Sequence, residues 1–330
     1  MNGSLRFFLL GCIAVFAASL FSCAHDSGRQ ATAISVGAPA LEQSALLYVA
    51  AAKHLFAAND IAITIKDFTT GPAAIAAMMG GTVDVAETAE FPLVEDTMDG
   101  QQMRILAEND RFENDYLVVR GDRGISNVSD LRGKRIGVTS KAITAFYLSR
   151  FLVLNGISSK DVSEVDVQPA DFVRSILDGQ VDGVVAWQPF VSQMEAARPG
   201  ALNVLPVQSG QAVYGLLVCT PEWLAGHADA VKRFLKSLVS AQDFLVRHPD
   251  ESQAIVAKRL NYRGSYLSAV WPKHEFALTL DFSLVAAMDE EARWLIDNHL
   301  TGASHVPDLT KLIYLAGLNA VRPAAVNMMQ

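Results

Sequence analysis

Met78-Met79-Gly80-Gly81-Thr82-Val83-Asp84-Val85-Ala86 and Ile176-Leu177-Asp178-Gly179-Gln180-Val181-Asp182-Gly183-Val184 read alike: a helix end, a glycine stop, a Val-Asp pair, an apolar strand. A proline-containing segment follows each, Glu90-Phe91-Pro92 after the first and Trp187-Gln188-Pro189 after the second. A Gly-x-Val-Asp coincidence is cheap by itself, and the shared context is what makes it an internal repeat. Two similar lobes are therefore expected.

Working outward, residues 34–37 read as a first strand, and Ser44 precedes an apolar-periodic stretch over 45–57. Ile61, Ile63 and Ile65 alternate with Ala62, Thr64 and Lys66, the pattern of a half-buried strand. Thr69-Thr70-Gly71-Pro72 leads into a helix over 73–79, with Pro72 suited to the first helical position and Gly80-Gly81 to the stop. A strand over 83–86, a helix near 91–98 and an extended run over 115–120 follow, and a strand over 135–139 opens the second set. Short strands alternating with helices define an α/β fold with largely parallel sheets. Tyr116-Leu117-Val118-Val119 and Tyr214-Gly215-Leu216-Leu217-Val218 are matching extended runs, predicted to be two crossings that form a hinge. Lobe 1 is then residues 34–116 plus 216–330, and lobe 2 is 117–215. The remainder is mainly helical, over 230–247, 252–260 and 280–300. In the last of these Leu284, Met288, Ala292 and Leu295 form one stripe, Asp289, Glu290 and Glu291 are expected in solvent, and Phe282 and Trp294 are expected to fill the core.

The 330 residues are 51% hydrophobic and 19% charged, too apolar for disorder and long enough for one large or two medium domains. The net charge is −8, and −9 once residues 1–22, whose one charged side chain is Arg6, are removed; nucleic acid is an unsuitable partner. Residues 5–22 form an apolar run behind that arginine and ahead of a polar stretch, which predicts a secretory leader over 1–22 rather than a membrane span. Leu20-Phe21-Ser22-Cys23 resembles a bacterial lipobox, in which the cysteine is lipidated and becomes the mature N-terminus; residues 23–33 would be a lipid-anchored linker. Of the three cysteines, Cys12 would be discarded, Cys23 would carry lipid and Cys219 would sit in the core, leaving no disulfide pair.

Catalytic signatures are missing from the sequence: no G-x-S-x-G, P-loop, G-x-G-x-x-G or H-E-x-x-H. The seven histidines are scattered without metal-ligand spacing and are expected mostly at the surface, so no metal and no cofactor are expected.

The chain resembles the nitrate/sulfonate/taurine group of solute-binding proteins of ABC importers, which includes relatives of the thiamine-pyrimidine binders. The resemblance rests on the lipobox, Gly80-Gly81-Thr82-Val83-Asp84, Asp130-Leu131-Arg132-Gly133-Lys134-Arg135-Ile136-Gly137-Val138, Gly179-Gln180-Val181-Asp182, Trp187-Gln188-Pro189 and Tyr214-Gly215-Leu216, in that order. It implies a two-lobed, type II periplasmic-binding-protein-like fold, held outside the cytoplasm by a lipid anchor, that closes on a small polar solute. Delivery to an ABC permease and ATPase is implied, and a monomer is expected. A pyrimidine-synthesising enzyme of the same superfold and a surface sensor module are the alternatives.

Ligands of open α/β sheets sit beyond the carboxyl ends of strands, where helix N-termini favour anions. The strand-to-helix corners therefore supply the candidates: Glu42, Gln43 and Ser44; Thr69 and Thr70; Glu87 and Thr88; Thr139, Ser140 and Thr144; Trp187 and Gln188, with Tyr214 on the second crossing. Each hydroxyl has an alternative role as a helix cap, and Glu90 reads as a solvated helix-start charge. Where the group usually carries an acidic residue, this chain has Gln188. Carboxylates in a closing cleft repel a bare anion and suit an amine or a donor-bearing heterocycle, so a taurine-like zwitterion or a pyrimidine is expected ahead of an inorganic anion. Trp187 would provide a flat wall or cation–π face.

Overall fold

The computed structural model describes residues 30–140, 142–262 and 264–328. The leader over 1–22, Cys23 and the linker as far as residue 29 lie outside the described residues, as does Lys141. The chain runs β1 (Thr32–Pro39), α1 (Ala45–Ala52), β2 (Ile61–Phe68), α2 (Gly71–Met79), β3 (Val85–Ala89), α3 (Glu90–Met98) and β4 (Arg104–Phe112). It continues with β5 (Asp115–Arg120), β6 (Arg135–Val138), α4 (Ile143–Leu154), β7 (Ser163–Asp166), α5 (Phe172–Leu177), β8 (Gly183–Trp187), α6 (Phe190–Ala197) and β9 (Leu202–Pro206). It returns through β10 (Val213–Cys219), α7 (Pro221–Arg247), α8 (Pro249–Leu260), α9 (Gly264–Val270), β11 (His274–Glu275), β12 (Leu280–Asp281), α10 (Phe282–Asp297), α11 (Leu315–Val321) and β13 (Val326–Asn327).

Two mixed sheets result. The first has the order β11-β4-β10-β3-β1-β2 and the second β7-β6-β8-β5-β9, with β12 and β13 a separate pair. In both, parallel strands (β1 with β2 and β3; β6 with β7 and β8) are completed by antiparallel ones. The runs expected to be the crossings are corrected: Tyr116–Val119 lies within β5 of the second sheet and Tyr214–Val218 within β10 of the first, because each is paired on both sides, and the chain passes between the sheets through residues 113–114 and 207–212.

The sequence repeat has a physical cause. Asp84, just before β3, accepts from the backbone N (2.7 Å) and Oγ (2.7 Å) of Ser35 on β1. Asp182, just before β8, accepts from the backbone N of Arg135 on β6 (3.0 Å) and from its guanidinium. Each aspartate clamps an incoming strand to its parallel neighbour, and each preceding glycine, Gly81 (φ 69°) or Gly179 (φ 72°), takes the left-handed turn this requires.

Four expectations about burial are corrected. Glu291 is fully buried rather than solvated, and so is Glu90 at the start of α3, because α10 lies across α3 and brings the two carboxyls together; burial raises both well above the usual carboxylate range. Phe282 is 55% exposed: Asp281 caps α10 by accepting from Ser283 N (2.8 Å), and the inward stripe through Leu284 and Met288 leaves position 282 on the opposite face. His274 is buried instead of lying at the surface. Trp294 packs edge-on to Phe91 and Phe146, joining α10 and α3 to α4 of the second set, and Cys219 is buried in β10. No helix of the described residues is long and apolar enough to cross a membrane.

Candidate functional site

A cavity of about 530 Å³ opens between the carboxyl ends of the parallel strands of the two sheets. The turns after β1 and β2 bring Leu41, Glu42, Gln43, Thr69 and Thr70 to it, and α3 adds Phe91 and Glu95. From the second set, the turns after β6, β7 and β8 bring Thr139 and Ser140, Gln168, and Trp187 and Gln188. Phe112, Asn114, Asp115, Val213 and His274 complete the wall near the passages between the sheets.

Local bonds hold these turns. Thr70 is extended (φ −150°) and its Oγ1 accepts from Ala73 N (3.4 Å), capping α2. Gly71 is required because a Cβ there would stand 2.5 Å from Thr88 Oγ1 and 3.0 Å from Thr88 Cα. Thr144 Oγ1 accepts from Thr139 N (3.0 Å), and Asp166 accepts from Ser140 N (2.8 Å). Ala142, the residue before α4, supplies no side-chain cap. Gln188 Oε1 accepts from Ser192 N (3.1 Å) and Oγ (2.7 Å), and Trp187 stands edge-on to Phe172 and Phe190.

The structure thus places Glu42, Gln43, Thr69, Thr70, Thr139, Ser140, Trp187 and Gln188 around one cavity. Ser44, Glu87, Thr88 and Thr144 are fully buried away from that wall. Glu87 accepts from Ser44 Oγ and Asn109 Nδ2, and burial raises its carboxyl to about 7. Tyr214 lines a second cavity of about 600 Å³, together with Arg111, Arg150, Gln211 and Glu290; its backbone N donates to Glu90 (2.9 Å).

Sequence reasoning missed the centre of the polar wall. His274 Nδ1 lies 2.6 Å from Asp110 Oδ2 and its Nε2 3.7 Å from Glu42 Oε1, with the ring between Phe112 and Phe276, both 5.1 Å away. Burial alone would lower the imidazole; the charge and hydrogen bond of Asp110, with those of Glu42, more than offset it and raise His274 to about 9. Glu42, 1% exposed, also accepts from Tyr266 OH (3.1 Å), Tyr262 OH (3.2 Å) and Asn114 Nδ2 (3.3 Å). Burial pushes its carboxyl up, but the His274 cation and these donors leave it below the ordinary value. Asp110, buried against the same imidazole, stays raised, to about 6. Asp115 has no such partner, and burial alone raises it to about 7. Among the described residues no lysine or arginine lines this cavity, and no group of three or more His, Cys, Asp or Glu is placed to hold a metal ion. The signal for Asn114-Asp115 was positional: the pair directly precedes the extended run that leaves the first set of strands.

Two α/β sheets joined by two passages, with a cavity between their strand ends, define a periplasmic-binding-protein-like fold. The chain belongs to the NMT1/THI5 like family, whose profile matches residues 42–252. It is 24% identical over 215 residues to a putative binding protein of Brucella abortus (strain 2308), 64% of this chain and 66% of that protein, so it spans just under two thirds of that relative's length. It is 28% identical over 228 residues to the taurine-binding periplasmic protein of Escherichia coli (strain K12), 67% of this chain and 69% of that one. In three dimensions it is similar to the periplasmic aliphatic sulphonate binding protein SsuA from Escherichia coli, with a TM-score of 0.74 at 17% identity over 87% of this chain and 98% of that one.

Proposed function

We propose that the protein is an extracytoplasmic solute-binding protein of an ABC importer, tethered through a lipid on Cys23, that captures a small polar solute between two lobes. The observation that carries this reading is the 530 Å³ cavity walled by the strand ends of both sheets, with buried Glu42 and Asp115 in its wall. Similarity to a taurine-binding periplasmic protein supports it. The candidates around the cavity, Glu42, Gln43, Thr69, Thr70, Thr139, Ser140, Trp187 and Gln188, are the ligand contacts in this reading. The uncapped start of α4 suits an anionic end and the acidic wall suits a cationic or donor end, which favours a zwitterion such as taurine or an aminopyrimidine over nitrate. Lobe 1, expected as 34–116 plus 216–330, and lobe 2, expected as 117–215, turn about the two passages, which the sheets put at residues 113–114 and 207–212, and the solute is handed to the permease and ATPase by a monomer that performs no chemistry.

Thermal-shift screening of the mature chain against taurine, alkanesulfonates, nitrate and aminopyrimidines tests this. A ligand at 100 times its dissociation constant stabilises by about 2.7 kcal/mol, a readily measured shift. A hit with compaction in small-angle scattering and no product in the same incubation supports the reading. No hit across the panel, or turnover of a pyrimidine precursor, overturns it. Cys23→Ser is expected to release the protein from the membrane fraction or leave it unprocessed.

A further inference from the structure

The cleft contains acceptors that the protein itself does not satisfy. Asn114 and Asp115, each 4% exposed, form the end of one passage between the sheets and line the cavity side by side. Asn114 donates through Nδ2 to Glu42, which fixes the orientation of its amide and leaves Oδ1 with no partner. Asp115 Oδ1 likewise has no partner, although the backbone N of the same residue donates to Gln208 Oε1 (2.8 Å). A buried acceptor left unpaired costs free energy, more so when charged, and such atoms are otherwise rare. The imidazole in the wall, His274, is hydrogen-bonded to Asp110 and faces Glu42 at 3.7 Å. Glu42 accepts from two tyrosine hydroxyls and Asn114, with the imidazole Nε2 3.7 Å away as a countercharge, so it is braced rather than free.

We propose that Asn114 Oδ1 and Asp115 Oδ1 form the recognition site for a hydrogen-bond-donating, positively charged or protonatable nitrogen of the solute: a primary ammonium or the amino group of a heterocycle. This rests on the solute-binding reading and narrows it. The two oxygens accept the N–H groups that the nitrogen presents, and Asp115 supplies the countercharge. The flat and apolar parts of the solute then lie against Phe91, Phe112 and Trp187. Burial raises the Asp115 carboxyl, as expected of a carboxylate waiting for a partner.

Matched ligand pairs that differ only in the amino group test the assignment: taurine against ethanesulfonate, and 4-aminopyrimidine against pyrimidine, by calorimetry on the mature chain at pH 8. In at least one pair the amino compound is expected to bind at least tenfold tighter. Asp115→Asn is expected to weaken it by roughly 10–100-fold, the range for a hydrogen bond to a charged group, and to change its amino-free twin by less than about threefold. Unliganded Asp115→Asn should melt at or above wild type, because an unpaired buried charge is removed; a structural aspartate would do the opposite. Asn114→Ala is the second variant, with an expected loss of roughly 3–10-fold for the amino compound. Equal affinity within both pairs, or a preference that survives both variants, overturns the assignment and leaves the solute-binding reading standing. Absence of binding by all four compounds, nitrate and the longer alkanesulfonates overturns both.

Discussion

Replacing His274 by glutamine removes the buried cation that holds Asp110 and Glu42. The ring is 1% exposed and its hydrogen bond to Asp110 is 2.6 Å. Its pKa rises from an ordinary 6.5 to about 9, a preference of the folded state for the proton of ~3 kcal/mol. Since the folded pKa is the higher one, this stabilisation is fully present below pH 6.5 and is lost as pH rises through about 9. Breaking a buried pair by removing one partner costs ~3–5 kcal/mol, which agrees with that figure. At roughly 2–4 °C per kcal/mol for a chain of this size, His274→Gln should melt about 6–12 °C below wild type at pH 7. The assay is circular dichroism melting of both proteins from pH 6 to pH 10. Buried carboxyls remote from His274 are common to the two proteins, so the difference in melting temperature reports the imidazole together with the two carboxyls it holds, Asp110 and Glu42. That gap should narrow steadily above pH 8. A gap that is already small at pH 7, or one that stays constant to pH 10, would show that the imidazole is neutral and refute the reasoning.

Glu87→Gln is expected to leave affinity for a cavity ligand within about twofold, because Glu87 lies outside the cavity wall. Its raised carboxyl, about 7, makes wild-type stability fall as pH rises between about 4.5 and 7, so the melting temperature of the variant should be flatter over that window. Gly71→Ala should lower the melting temperature by an amount corresponding to ~1–3 kcal/mol, since its Cβ would collide with Thr88; an unchanged melting curve would show that β3 and α2 can move apart. Gln208→Ala is expected to cost ~2–4 kcal/mol in denaturant titration, as three backbone groups lose a buried partner.

Much of the architecture could be read from the chain because local chemistry enforces it. Asp84 and Asp182 each need a backbone N–H on a neighbouring parallel strand, so the Val-Asp pair after a left-handed glycine marks the same construction twice. Turn residues such as Glu42, Thr70 and Ser140 were accessible for a related reason, since topology alone puts strand ends on one side of a sheet. Side-chain direction within those corners was not. Whether Glu87 faces the cavity or the layer beneath depends on the pairing of β3 with β10, and of β10 with β4, which brings Asn109 to it. The histidine beside Glu42 was out of reach altogether: it comes from a two-residue strand and lies 164 positions from Asp110, with no period to announce it.

Gln208 joins the two passages between the sheets through one amide. Its Oε1 takes the backbone N of Asp115 at 2.8 Å, and its Nε2 gives to the carbonyls of Phe112 at 3.2 Å and Gln211 at 2.8 Å. Two independent tethers would let one half of the molecule both swing and shear against the other. Cross-braced by a single side chain, the two passages would act as one axle in the closure proposed above, with motion confined to a single coordinate. Asp115 hangs on that brace, so the oxygen proposed to meet the solute belongs to the same residue whose backbone N–H makes the cross-link. In the solute-binding reading proposed above, occupancy would thereby become a yes-or-no posture of the entire surface, legible to a docking partner that touches both halves and never approaches the cavity.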